Sequence, residues 1–132
     1  MVPRPLVLGL TLCDYALVEE GTKKVSLIGA FSGIRAASFP FFRPSFCVFA
    51  SLTDGEGDAD VDLTVTHLES DEEVYFLQRS VRFPGRFTEV RTLFRIADCR
   101  FPAAGAYFFT LRVDREWVAH RRIQVYPSET EP

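Results

Sequence analysis

The sequence predicts an all-β fold, an antiparallel β-sandwich of about seven to nine strands that is immunoglobulin-like or fibronectin-like. Apolar residues alternate with polar ones or form short runs, and no long stretch has the helical period. Clusters of Gly, Pro and Asp separate the runs, as turns do in sandwiches. The 13 Phe against one Met and one Trp favour a pleated, half-buried surface. The 132 residues make one domain, placed at residues 1–127, with 128–132 as a frayed tail.

The first half of the chain is predicted to hold four strands. Their ranges are 6–18, 25–31, 34–38 and 46–53. Alternation in the first strand puts the four leucines between positions 6 and 12 on one face. The fourth strand is apolar on both faces, which is typical of a strand in the centre of a sheet.

The second half is predicted to hold five more strands. Their ranges are 61–66, 74–83, 88–97, 107–113 and 117–126. Alternation puts Arg91 and Arg95 on an outer face. In the last strand Trp117 falls in step with Ala119 and Ile123, so it is predicted to lie in the core.

The connections and one tyrosine refine the fold. Parallel strands need crossovers of roughly a dozen or more residues, and the predicted turns are shorter, so the strands are expected to be antiparallel. Gly105-Ala106-Tyr107 opens a late strand in the manner of immunoglobulin-like domains, where a Tyr hydroxyl bonds back to nearby backbone.

Charge and cysteine usage narrow the partners and the compartment. The net charge is −3 with no Lys/Arg cluster along the chain, which argues against a nucleic-acid partner. Cys13, Cys47 and Cys99 are odd in number and widely spaced, so we expect free thiols in a cytoplasmic protein. The apolar run 6–13 after Met1–Arg4 is too short to span a membrane, and we assign it to the first strand rather than to a secretion signal.

Catalytic and metal-binding patterns are sparse. His67 and His120 have no nucleophile elbow or phosphate loop beside them, so the sequence predicts a non-enzyme without a cofactor. Asp54, Glu56 and Asp58 are the weak candidates for a metal site. They fail the EF-hand spacing, and a solvated turn explains them, with calcium as the alternative.

An aromatic segment supplies the candidates for an interaction site. Phe39, Phe41 and Phe42 are three Phe in four positions, with Arg43 and Arg35 beside them. They either tuck under the core or leave an exposed patch, and aromatic residues with Arg are enriched at interfaces.

Two stretches resemble a known family. Cys13–Ala16, followed by Gly21–Phe31, resembles the opening of a bacterial family of small proteins known only as a domain of unknown function. Lys24–Phe31 is the most specific part, and the Phe39-Pro40 step and the Gly105–Tyr126 hairpin complete the resemblance. It implies a stand-alone cytosolic β-domain and carries over no catalytic or binding residues.

The leading hypothesis is a non-enzymatic protein-interaction or adaptor module. Its partner would be another protein or a second copy of the chain in a homodimer, with no membrane partner. A ligand-binding sandwich, for carbohydrate or calcium, is the alternative. An unrecognised enzyme, built from separated residues such as Asp14, His67 and Cys99, ranks third.

Overall fold

The structure, a computed structural model, describes residues 5–128, and every regular element in that range is a β-strand. The strands are β1 (Leu6–Val18), β2 (Val25–Phe31), β3 (Gly33–Ala36), β4 (Phe41–Arg43), β5 (Phe46–Thr53), β6 (Gly57–His67), β7 (Glu73–Phe83), β8 (Val90–Ile96), β9 (Cys99–Phe101), β10 (Gly105–Val113) and β11 (Glu116–Pro127). Met1–Arg4 and all but the first residue of the predicted tail lie outside the described residues.

Two facing sheets confirm the predicted sandwich. The four-stranded sheet has the order β2-β1-β5-β8, and the five-stranded sheet has the order β3-β11-β10-β6-β7. A short β4-β9 pair closes one end. The largest fully buried side chains between the sheets are Tyr107, Phe46, Phe94, Phe101 and Phe109. Burying an aromatic or branched side chain of this kind stabilises the fold by roughly 1.5–3 kcal/mol.

The described chain has eleven strands, two more than the upper end of the expected range. The additional short strands are β4 and β9, which have three residues each. Three residues are too few for alternation to register in the sequence, so such strands are defined only by their pairing.

One strand pair is parallel, which corrects the expectation that all pairs are antiparallel. β3 runs parallel to β11, with Ile34 opposite Val125. The chain passes from the four-stranded to the five-stranded sheet at Ser32, between β2 and β3. The whole of the domain between β3 and β11 then acts as the long connection that a parallel pair requires.

Two β-bulges reverse the predicted facing of side chains. The four leucines between positions 6 and 12 were predicted to share one face, but a shift between Val7 and Gly9 leaves Leu6 and Leu8 exposed while Leu12 is buried. A second shift pairs Arg112 with Trp117, so the predicted core tryptophan is wrong: its side chain lies 53% exposed on the outer face of β11. Each bulge inserts one residue and so changes which face the following residues occupy.

Tyr107 forms the corner that its sequence context predicts. Its buried hydroxyl donates a hydrogen bond to the Ala103 carbonyl and accepts one from the Ala103 N–H at 3.3 Å. Burial raises the pKa of the phenol. This corner on the penultimate strand, together with the two-sheet architecture, is immunoglobulin-like.

Candidate interaction surface on the four-stranded sheet

Most of the predicted aromatic segment packs inward. Phe39 and Phe41 are half-buried against the core. The Arg43 guanidinium carbon lies 4.9 Å from the ring centre of Phe31, and the guanidinium pairs with Asp14 at 2.8 Å. These contacts give three of the five predicted interaction residues a structural role.

Phe42 and Arg35 are the two predicted interaction residues that face outward. The Phe42 side chain is exposed on the short strand β4. Arg35 is exposed on β3, with its guanidinium 5.6 Å from the ring centre of Tyr126. Their part in binding stays a prediction.

The stretches that carry the family resemblance meet at one point. Gly29 has a positive φ of 72°, and a Cβ on it would lie 2.4 Å from Oδ2 of Asp14. Asp14 in turn holds Arg43. The contacts of Gly29 with Asp14 and of Asp14 with Arg43 therefore connect β2, β1 and β4.

The acidic turn does not converge on one point. Asp58 pairs with Arg82 at 3.1 Å on the surface, and Asp54 donates its backbone N–H to the Arg86 carbonyl. Glu56 is exposed. Among residues 5–128, no three His, Cys, Asp or Glu side chains are grouped so that they could hold a metal ion.

The histidines and Cys99 occupy separate environments. His67 is buried, stacked on Tyr107, and hydrogen-bonded to Ser70 at 2.9 Å. His120 is exposed and stacked on Trp117. Burial raises the pKa of the Cys99 thiol to about 12, so this thiol is protonated and poorly nucleophilic at neutral pH.

A feature that the sequence did not reveal lies on the β1–β2 hairpin. Tyr15 and Leu17 point to the same side of β1, and Ile28 pairs with Tyr15 across the hairpin. Tyr15 is 66% exposed and Leu17 is 57% exposed. Three large apolar side chains are therefore adjacent at the surface. Isolated exposed apolar residues are common on folded proteins, but a contiguous group of them is typical of an interaction site.

These side chains border an open cleft of about 510 Å³. Tyr15, Leu17 and Ile28 line one side, and Phe46, Ile96 and Arg95 contribute to the rest. The cleft forms because β1 extends beyond its last residue paired with β5, Cys13, and leaves the start of β5 and the end of β8 uncovered. Its size and mainly apolar lining are typical of sites that hold a ligand or an anchoring side chain.

A small second core supports this cleft from below. Cys13 and Cys47 lie opposite each other on β1 and β5, and they pack with Ala16. The pKa of the Cys13 thiol is raised by burial first and by the nearby Cys47 second. The Arg95 guanidinium lies 3.9 Å from Sγ of Cys47, which places a cation at the cleft.

A basic rim continues from the cleft across the same sheet. A second cavity, of about 480 Å³, shares Arg95 with the cleft and is also lined by Lys23, Arg79 and Arg91. Arg91 pairs with Glu89 at 3.2 Å. Within the described range, no carboxylate pairs with Lys23, Arg79 or Arg95. Alternation along β8 predicted that Arg91 and Arg95 face outward, but not that Lys23 and Arg79 join them.

No helix with the length and hydropathy needed to cross a membrane occurs between residues 5 and 128.

A family model described as a family of unknown function, DUF6941, matches residues 8–126. No curated protein matches the sequence.

Three solved structures resemble the fold. A beta-D-glucoside glucohydrolase from Trichoderma reesei has a TM-score of 0.50 and 11% identity over 92% of this chain and 19% of that chain. An alkylpurine DNA glycosylase from Pseudomonas fluorescens, bound to DNA with an abasic site analogue, has a TM-score of 0.47 and 10% identity over 89% and 30%. An immunoglobulin-like protein from Pseudomonas aeruginosa has a TM-score of 0.43 and 9% identity over 94% and 98%. The chain thus spans less than a third of the first two proteins, and these likenesses concern the fold alone.

Proposed function

Because the chain belongs to DUF6941, a family of unknown function, we propose its role from the geometry: it is a non-enzymatic protein-interaction module. Its binding surface is the end of the four-stranded sheet where the β1–β2 hairpin extends beyond β5, and a partner segment inserts a large apolar side chain into the cleft there. The proposal includes a cytoplasmic location, which the three free thiols favour.

The observation that carries the proposal is the contiguous apolar border of the cleft. The side chains of Tyr15, Leu17 and Ile28 are 66%, 57% and 46% exposed, although removing their apolar surface from water would stabilise the domain. Binding energy at protein interfaces concentrates where a large side chain enters a desolvated pocket, and aromatic residues and Arg are enriched there. Tyr15 and Arg95 supply both kinds of residue at this cleft.

Within residues 5–128, the two histidines and Cys99 occupy separate environments, which supports a non-enzymatic role. His67 has hydrogen-bonding partners inside the fold, and burial raises the pKa values of the thiols of Cys13 and Cys99. A nucleophile needs the opposite shift, or a base within hydrogen-bonding reach.

Site-specific photo-crosslinking tests the proposal. A photoreactive amino acid is placed at Leu17, and a control carries it at Phe87, which is 94% exposed outside the cleft. We expect Leu17, but not Phe87, to crosslink one defined protein in cells, and Ile28→Asp to abolish that product. Equal products from both positions, or none from Leu17, would contradict the proposal.

Carbohydrate binding is a second candidate, and the exposure of Trp117 favours it. Trp117 stacks on His120 beside the paired Asp62 and Arg112, so one face of the five-stranded sheet carries aromatic and polar groups together. The chain has one Trp, so its fluorescence reports this face alone. A glycan-dependent emission change that Trp117→Ala removes would support this function, and a flat response to a glycan panel would dismiss it.

A further inference from the structure

We infer that the partner segment at the cleft is acidic: an apolar anchor residue flanked by Asp or Glu side chains that pair with Arg95, Arg79 and Lys23. This inference rests on the proposed function and specifies the chemistry of the partner. The apolar cleft selects the anchor, and the basic rim selects the charge beside it.

The charge balance of the rim is the first argument. The chain has a net charge of −3, yet the cavity beside the cleft is lined by four cations. Arg91 is neutralised by Glu89, whereas Arg95, Arg79 and Lys23 have no carboxylate partner within residues 5–128. A local positive field on a negative protein attracts acidic groups and repels basic ones.

The continuity of the two cavities is the second argument. Arg95 lines both cavities, and its guanidinium reaches Cys47 at the cleft. Arg79 reaches across from β7 and donates a hydrogen bond to the Leu93 carbonyl of β8, which fixes its position over the edge of the sheet. A segment with an anchor in the cleft therefore extends directly over the arginines.

The arginines favour carboxylates over neutral polar groups. Guanidinium groups bind carboxylates with two parallel hydrogen bonds, which adds specificity to charge. Arg79 and Arg95 are exposed, so each pair is expected to change affinity by about 1.5- to 5-fold. The combined effect falls with ionic strength because exposed charges are screened.

Selection from a display library of random short peptides tests the inference. The targets are the wild-type protein and the variants Leu17→Asp and Arg95→Glu. Arg122→Glu is the control, because Arg122 is exposed on β11 in the other sheet. We expect wild type and Arg122→Glu to select peptides with a large apolar residue next to Asp or Glu. Leu17→Asp should not bind these peptides, and Arg95→Glu should bind them with an affinity lower by about fivefold or more.

The outcomes separate the inference from the proposed function. Peptides that depend on Leu17 but show no acidic enrichment would overturn the inference and leave the interaction module standing. Failure to obtain any peptide that depends on Leu17 would count against both. Tight binding of a fluorescein-labelled oligothymidine that Arg95→Glu abolishes would assign the rim to a nucleic acid and overturn the inference.

Discussion

The strands β6, β7 and β10 of the five-stranded sheet differ in their surface charges from the end of the four-stranded sheet. On the five-stranded sheet two carboxylates of β6 pair with arginines of the neighbouring strands: Asp62 binds Arg112 of β10 at 2.8 Å, and Asp58 binds Arg82 of β7. On the four-stranded sheet the β1–β2 hairpin leaves Tyr15 and Leu17 exposed, and Arg95 has no carboxylate partner among the described residues. Two carboxylates of β6 are therefore paired, whereas the end of the four-stranded sheet has exposed apolar side chains beside a cation that lacks a carboxylate partner within residues 5–128.

Paired charges and exposed apolar groups contribute to different properties of the protein, namely stability and binding. Satisfied polar pairs on a sheet face hold the face together, so their loss should lower the free energy of unfolding. Exposed apolar groups and unpaired charges add little to folding, so their loss should affect binding alone. Substitutions on the two faces are therefore expected to have opposite signatures.

The greatest change in stability is expected from the buried thiol of Cys99, which lies on the short strand β9 outside both large sheets. Burial raises the pKa of Cys99 from 9.0 to about 12 in the folded protein. Above pH 9 the unfolded thiol ionises first, so the stabilising contribution is complete below pH 9 and declines as pH rises towards 12. The full loss is about 4 kcal/mol, and about half of it is reached near pH 10.5.

Urea unfolding at neutral and alkaline pH checks this effect. Cys99→Ala should be less sensitive to alkaline pH than the wild type. Residual loss in the variant is expected because burial also raises the pKa of Cys13 and Tyr75. Parallel pH profiles for the two proteins would show that the buried thiol does not titrate as described.

The next prediction concerns two acidic residues of β6 in the five-stranded sheet, Asp62 and Asp58. Asp62→Ala removes the partner of Arg112 from a nearly buried position, and Asp58→Ala removes the partner of Arg82 from an exposed one. Breaking a buried pair costs about 3–5 kcal/mol, and the partial exposure of Arg112 reduces this to about 2 kcal/mol. The exposed pair is worth at most about 1 kcal/mol. Chemical denaturation measures both, and equal losses would contradict the ranking.

A smaller effect concerns the close contact between Gly29 and Asp14 in the β1–β2 hairpin. Gly29→Ala places a methyl group against Asp14 at a positive φ, so we expect a loss of about 1–2 kcal/mol and a shift of the hairpin. Gly21→Ala is the matched control, because a Cβ there has no neighbour within 4 Å. Thermal unfolding measures the melting temperatures of the two variants. Equal melting temperatures would show that the Gly29–Asp14 contact does not restrict the residue at position 29.

The smallest effect on stability is expected at the cleft itself. Leu17→Asp changes an exposed side chain, so the free energy of unfolding should stay within about 0.5 kcal/mol of the wild type. The same change should abolish binding at the cleft. A loss of several kcal/mol in denaturation would show that Leu17 belongs to the folding core instead.

The sequence predicted the strands well where alternation was uninterrupted. The bounds of β1, β2 and β5 agree with those expected, and Tyr107 forms the corner that Gly105 announced. The parallel β3–β11 pair was not foreseen, because its partners are distant in sequence and the switch of sheets at Ser32 leaves no periodic signal.

The candidate site was much less predictable. The bulge between Leu111 and Arg112 turns Trp117 outward, and a single inserted residue is invisible to a period-two pattern. The basic rim assembles Lys23, Arg79 and Arg95 from three regions of the chain, so no local cluster announces it. Phe39 and Phe41 were interaction candidates because three Phe lie within four positions, and in the structure both pack against the core.

The cleft and the basic rim at the end of the four-stranded sheet form, in our proposal, one binding surface for apolar, negatively charged groups. Its most direct test is the fluorescence of 1-anilinonaphthalene-8-sulfonate, an apolar dye with one anionic group, in titrations of folded protein. We predict enhanced emission with the wild type and with the control Phe87→Asp, loss of that emission with Leu17→Asp, and weaker emission with Arg95→Glu. Equal emission from all four proteins would contradict the claim.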